Sequence, residues 1–159
     1  MKSMDKGNYM DFWMNALLNN IQEMADFQGI SGKVVPQGGV FASRGLAVIV
    51  GITGTRPGRI ILDTSIETAR LLSEIFNGET ELADDDIIDS MAEFANIVSG
   101  HGITQVNNLH KGFALMLTPP SVFMGSKINI TSPKINAEVI EVDTPVGYVK
   151  ISVGCEGGH

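Results

Sequence analysis

The hydrophobic period changes repeatedly along this chain, and that alternation constrains its fold more than any other feature. From Tyr9 to Gln28 the residues Met10, Trp13, Met14, Leu17, Ile21 and Met24 recur at spacings of three and four, the stripe of an amphipathic helix. Gly29 follows as a terminator. GLAVIVGIT and RIILDT then carry the β-branched content of strands, and the intervening GTRPG supplies the Gly and Pro of a hairpin turn. Thr64 stands three residues before Glu67, as a capping box does, so a second helix is expected to run to about Phe76 and stop at Asn77 and Gly78. A third helix starts in Asp84, Asp85 and Asp86, whose carboxylates suit the positive end of a helix dipole. It is expected over Asp85 to Ser99, with Gly100 ending it. From Lys111 onward GFALMLT, KINI, NAEVIEVDT and GYVKISV read as antiparallel strands separated by Gly and Pro.

These elements predict an α/β (α+β type) domain, an antiparallel sheet with three helices on one face. With 159 residues, one domain is expected over 1–159, with 1–8 and 154–159 as loose termini. Helix followed by strands occurs twice, which suggests an internal duplication with little residue identity.

Charge and cysteine usage narrow the function classes. The formal charge is −7 and no Lys/Arg cluster offers a footprint for phosphate backbones, so nucleic acid is not expected as a partner. The N-terminal run lacks the apolar core of a secretory signal. The longest apolar stretch, Gly45 to Ile52, is far below the roughly 20 residues of a membrane span. A soluble protein with no membrane partner is expected, and the single cysteine, Cys155, fits a reducing cytoplasm. His101 and His110 lack neighbouring ligands, Cys155 and His159 belong to an expected frayed terminus, and capping accounts for the Asp84–Asp86 run. No metal site follows.

The chemistry concentrates on the third helix. At about 100° per residue, Ile88, Met91, Ala95 and Val98 share one arc, while Asp89, Glu93 and Asn96 face the other way. Glu93 and Asn96, three apart, present a carboxylate and an amide with Cβ atoms roughly 5–6 Å apart. The amide can donate and accept, and so can orient a water; the carboxylate can grip a cation on a partner. A second Glu-x-x-Asn match, Glu74 to Asn77, lies at a helix end, where a capping role accounts for it.

Glu93-Phe-Ala-Asn96-Ile-Val-Ser-Gly100, followed by Thr118-Pro119-Pro120-Ser121-Val122-Phe123-Met124-Gly125, resembles the core of the CheX/CheC phosphatases of chemotaxis and their flagellar relatives. One motif of this kind is closer to the one-site CheX type than to the two-site CheC type. Many relatives have Asn after the Gly; this chain has His101. The resemblance implies a phosphatase that hydrolyses the phospho-aspartate of a CheY-like response regulator. Glu93 would salt-bridge a receiver lysine and Asn96 would orient the attacking water, with Asp89 and Ile97 as further partner contacts. It also implies a homodimer, and no cofactor on this chain, Mg²⁺ belonging to the receiver. A non-catalytic module that binds a response regulator or flagellar switch is the alternative, and a structural oligomerisation domain a further one; neither needs a free polar pair.

Overall fold

A computed structural model describes residues 6–131 and 135–156. Three helices occur among them: α1 (Lys6–Ala25), α2 (Ile66–Asn77) and α3 (Asp84–Leu109). The strands are β1 (Ile30–Ser31), β2 (Val35–Pro36), β3 (Val40–Ala42), β4 (Gly45–Thr53), β5 (Gly58–Ser65), β6 (Met116–Leu117), β7 (Ser121–Met124), β8 (Asn129–Thr131), β9 (Ile135–Thr144) and β10 (Gly147–Glu156).

Eight of these strands form one antiparallel sheet in the order β1-β9-β10-β5-β4-β6, with β2 also on β9 and β7 also on β4. The hairpins β4–β5 and β9–β10 lie side by side through β5 and β10. Short strands flank them at both edges, so the order reads alike from either side. With α1 before the first half and α3 before the second, this approximate two-fold arrangement matches the duplication that the element order suggests.

Period-two alternation divides the sheet into two faces. Leu46, Val48, Ile60, Leu62, Ile140 and Val149 point to the helices and join Trp13, Leu17, Ile21, Met91, Phe94 and Val98 in one core. The alternate residues Ala47 and Ile61 meet Phe41 on the opposite face, where β3 pairs with β8 as a small second sheet.

Several element boundaries depart from the sequence expectation for identifiable reasons. α1 stops at Ala25, before Gly29, because Asp26 turns into the left-handed region (φ 58) and its N–H bonds the Gln22 carbonyl at 3.1 Å. The cap of α2 is Ser65, not Thr64: the Ser65 Oγ accepts from the Thr68 N–H at 3.0 Å, whereas Thr64 remains in β5 and donates to the Tyr148 carbonyl. Gly78 does end α2, in the left-handed conformation at φ 66.

The largest departure is α3, which passes Gly100 and continues to Leu109. Gly102 faces α1, where any Cβ would lie within 3.0 Å of the Trp13 indole. Gly100, expected to end the helix, lies inside it, and Gly102 serves close helix packing.

Of GFALMLT, only Met116–Leu117 pairs as strand, after Ala114 takes a positive φ of 49. The C-terminus is also more ordered than expected: residues 154–156 belong to β10, where Gly154 opposes Arg59 and Cys155 is buried. α1 likewise includes residues 6–8 of the expected loose N-terminus. His159 lies outside the described residues.

Candidate functional site

α3 is built so that one face is apolar and the other free. Its buried set is Ile87, Met91, Phe94, Ala95, Val98, Ser99, Gly102, Ile103 and Val106. Ile88, expected in the core arc, is half-buried, and Ile87 occupies that place. Asp89, Glu93 and Asn96 are exposed, with Ile97 half-buried beside them.

The two Glu-x-x-Asn pairs of the chain have opposite fates. Glu74 forms an ion pair with Arg70 at 2.7 Å and accepts from the Glu81 N–H at 3.2 Å. Asn77 donates to the Ser73 carbonyl and to Ser90 Oγ, both at 2.7 Å. That pair is consumed in closing α2 against α3. Among the described residues, Glu93 and Asn96 make neither hydrogen bond nor ion pair, although both stand in the middle of a long, well-packed helix. A rigid element thus presents an acceptor and an amide at fixed spacing with their full bonding capacity unspent.

Glu93 also borders a shallow groove of about 180 Å³ shared with Ile97, Met24, Phe76, Asn77 and Ser90. The apolar members give a partner something to bury beside the carboxylate. Asp89 precedes Glu93 by one turn, so this end of α3 is an acidic surface that attracts a cationic group. Among the described residues no three His, Cys, Asp or Glu side chains gather as a metal site would require, and no helix is long and apolar enough to cross a membrane.

Sequence reasoning singled out His101 but missed its partner. It is exposed on α3 rather than in a loop, and Asn20 of α1 bonds its Nδ1 at 2.9 Å. The signal was present in principle: Asn20 interrupts the buried stripe of α1, and a buried amide needs partners. His110 caps the end of α3 and stacks on Phe113 with ring centroids 4.6 Å apart.

A family model described as "Chemotaxis phosphatase CheX" matches residues 46–143, from β4 through α2 and α3 into β9. The chain belongs to the CheX family. Among its relatives is the CheY-P phosphatase CheX of Thermotoga maritima, 29% identical over 125 residues that cover 75% of this chain and 79% of that protein. The fold is shared with solved members. Chemotaxis protein CheX from Desulfovibrio desulfuricans superposes with a TM-score of 0.84 at 23% identity, covering 93% of this chain and 99% of that one. CheX in the CheX–CheY–BeF3–Mg complex from Borrelia burgdorferi gives 0.81 at 24% identity, covering 93% and 97%.

Proposed function

We propose that this CheX family member dephosphorylates the phospho-aspartate of a CheY-like receiver domain, with Glu93 and Asn96 as the residues that act. The observation that carries the assignment is the unspent pair on α3, set against the satisfied pair Glu74 and Asn77. The relative from Thermotoga maritima is a CheY-P phosphatase, and the Borrelia burgdorferi relative binds CheY.

The reaction joins a water oxygen to phosphorus and breaks the bond between phosphorus and the aspartyl oxygen. It yields inorganic phosphate and a free aspartate. Asn96 accepts a hydrogen bond from the water and donates toward the phosphoryl group, holding the water in line. Glu93 binds a receiver lysine by a charge-assisted bond and fixes the register of the complex. Asp89 adds to that attraction, and Ile97 supplies apolar contact. The metal that neutralises phosphoryl charge is the receiver's Mg²⁺, and this chain contributes no cofactor.

The protein works in the cytoplasm, where receivers are found, as a homodimer. Both sheet edges support pairing with a second copy, because Ile30 and Val35 on one side and Met116 and Phe123 on the other are exposed, and unpaired edges invite strand addition. Sedimentation at micromolar concentration distinguishes a dimer from a 17 kDa species. The decisive assay is phosphate release from a panel of phosphorylated receivers with and without the protein. If every receiver kept its phosphate for its unassisted lifetime, the phosphatase reading would fail, and a docking-only module would replace it.

A further inference from the structure

Asn20 fixes the hydrogen-bonding state of His101. The buried Asn20 Nδ2 donates to the Ala16 carbonyl at 2.7 Å, so that atom is the amide nitrogen, and its second hydrogen points to His101 Nδ1 at 2.9 Å. Nδ1 must therefore accept, and the imidazole proton resides on Nε2, on the far side of the ring. The result is a donor held outward by a buried amide.

That donor stands in a row with the catalytic carboxylate. Glu93, Ile97, His101 and Gln105 follow one another at intervals of four, forming a single ridge along α3. Phe12, Ala16, Asn20 and Met24 form the matching ridge on α1. The two run antiparallel, with Met24 beside Glu93 and Ile97, Asn20 against His101, and Phe12 and Ala16 beside His101 and Gln105. At the far end they enclose a valley of about 410 Å³, whose walls also include Asn15 and Asn19.

We infer that this valley is the second half of the receiver-docking surface, and that His101 is a docking residue whose Nε2–H bonds a backbone carbonyl of the docked receiver. The inference rests on the function proposed above and adds the remainder of the surface that holds the partner. His101 lies about 7.5 Å beyond Asn96 along the helix axis, at about 1.5 Å per residue. A partner footprint of about 800 Å² that reaches Glu93 and Asn96 extends over it. The lining beside His101 is amides, Ala and Phe, with no charged group, which suits the neutral donors and acceptors of a peptide backbone and not a free anion or metal ion.

The test is initial-rate phosphate release against the concentration of a cognate phosphorylated receiver. His101→Asn keeps an acceptor toward Asn20 but removes the outward donor. His101→Gln places an amide nitrogen near the Nε2 position. We expect His101→Asn to raise KM about five- to tenfold with kcat within twofold of wild type, the size of one lost interfacial hydrogen bond. His101→Gln should stay within about threefold of the wild-type KM. Asn15→Ala, on the opposite wall and outside the Asn20–His101 pair, should raise KM in the same direction. Unchanged KM in both His101→Asn and Asn15→Ala, or a fall in kcat alone, overturns the inference while leaving the phosphatase reading intact. A wild-type protein that releases no phosphate overturns both.

Discussion

Gly102 of α3 rests directly on the indole of Trp13 in α1, with no space between them for a methyl group. Trp13 is fully buried, so it cannot swing aside. Gly102→Ala should destabilise the fold by about 1–3 kcal/mol, the usual range for overpacking a well-filled core. Chemical denaturation measures it, and a variant as stable as wild type would mean that α1 and α3 separate without penalty. The two ridges that flank the site would then not be rigid.

Gly100, two residues earlier, gives the opposite result. A Cβ there meets nothing within 4 Å, so Gly100→Ala should stabilise the helix by up to about 1 kcal/mol. Gly100 is one turn beyond Asn96 on the outward face, and the bare backbone leaves room for a partner to approach. Phosphate release should therefore fall while the denaturation midpoint rises. Equal gains in stability and activity would remove the partner from that position.

This contrast explains which parts of the molecule were legible in the sequence. A glycine within a helical pattern reads as a stop whether it ends the helix, as Gly78 does, or lies inside it, as Gly100 does. What continues α3 past Gly100 is its packing on α1, with Gly102 against Trp13, and that is a tertiary fact. The long periodic stripes, the β4–β5 hairpin and the outward set of Asp89, Glu93 and Asn96 were readable, because each depends on local period alone. The strands β1, β2 and β3 were not, since two or three residues among Gly and Pro carry no period. Their pairing comes from β9 and β8. The pairing of Asn20 with His101 was unreadable for a different reason: although Asn20 breaks an apolar stripe, its partner lies 81 residues away, and nothing local links the two.

Asp63 offers a pH test on the other face of the sheet. Its carboxylate is buried, which pushes its pKa up, partly opposed by hydrogen bonds from Ser43 and the Arg44 N–H and by the charge of Lys150. A carboxyl whose folded value exceeds its unfolded value holds more protons in the folded state. Its contribution to stability is complete below the ordinary aspartate value and declines as pH rises through the elevated one. The unfolding free energy of wild type minus that of Asp63→Asn should therefore decrease across the window just above the ordinary value. A difference that stays flat or increases there would mean that burial does not dominate at this site.

The most discriminating outcome concerns Asn96 and Glu93. Asn96 is exposed on α3, so Asn96→Ala opens no core cavity and should change stability by less than about 0.5 kcal/mol. The same substitution removes the group proposed to orient the water, and losing one preorganised hydrogen-bonding group from an active site lowers a rate by about 10²–10³. Binding of the receiver should be nearly unchanged. Glu93→Ala should behave differently, because the contact proposed for it, a charge-assisted bond to a receiver lysine, would lie at the interface, and its loss would weaken docking together with turnover. Glu74→Ala supplies the control: it breaks the ion pair with Arg70 and should reduce stability modestly without selective loss of phosphate release. Phosphate release and receiver binding, measured for each variant, separate these roles. Full activity in Asn96→Ala would show that the outward face of α3 is not where the water is held.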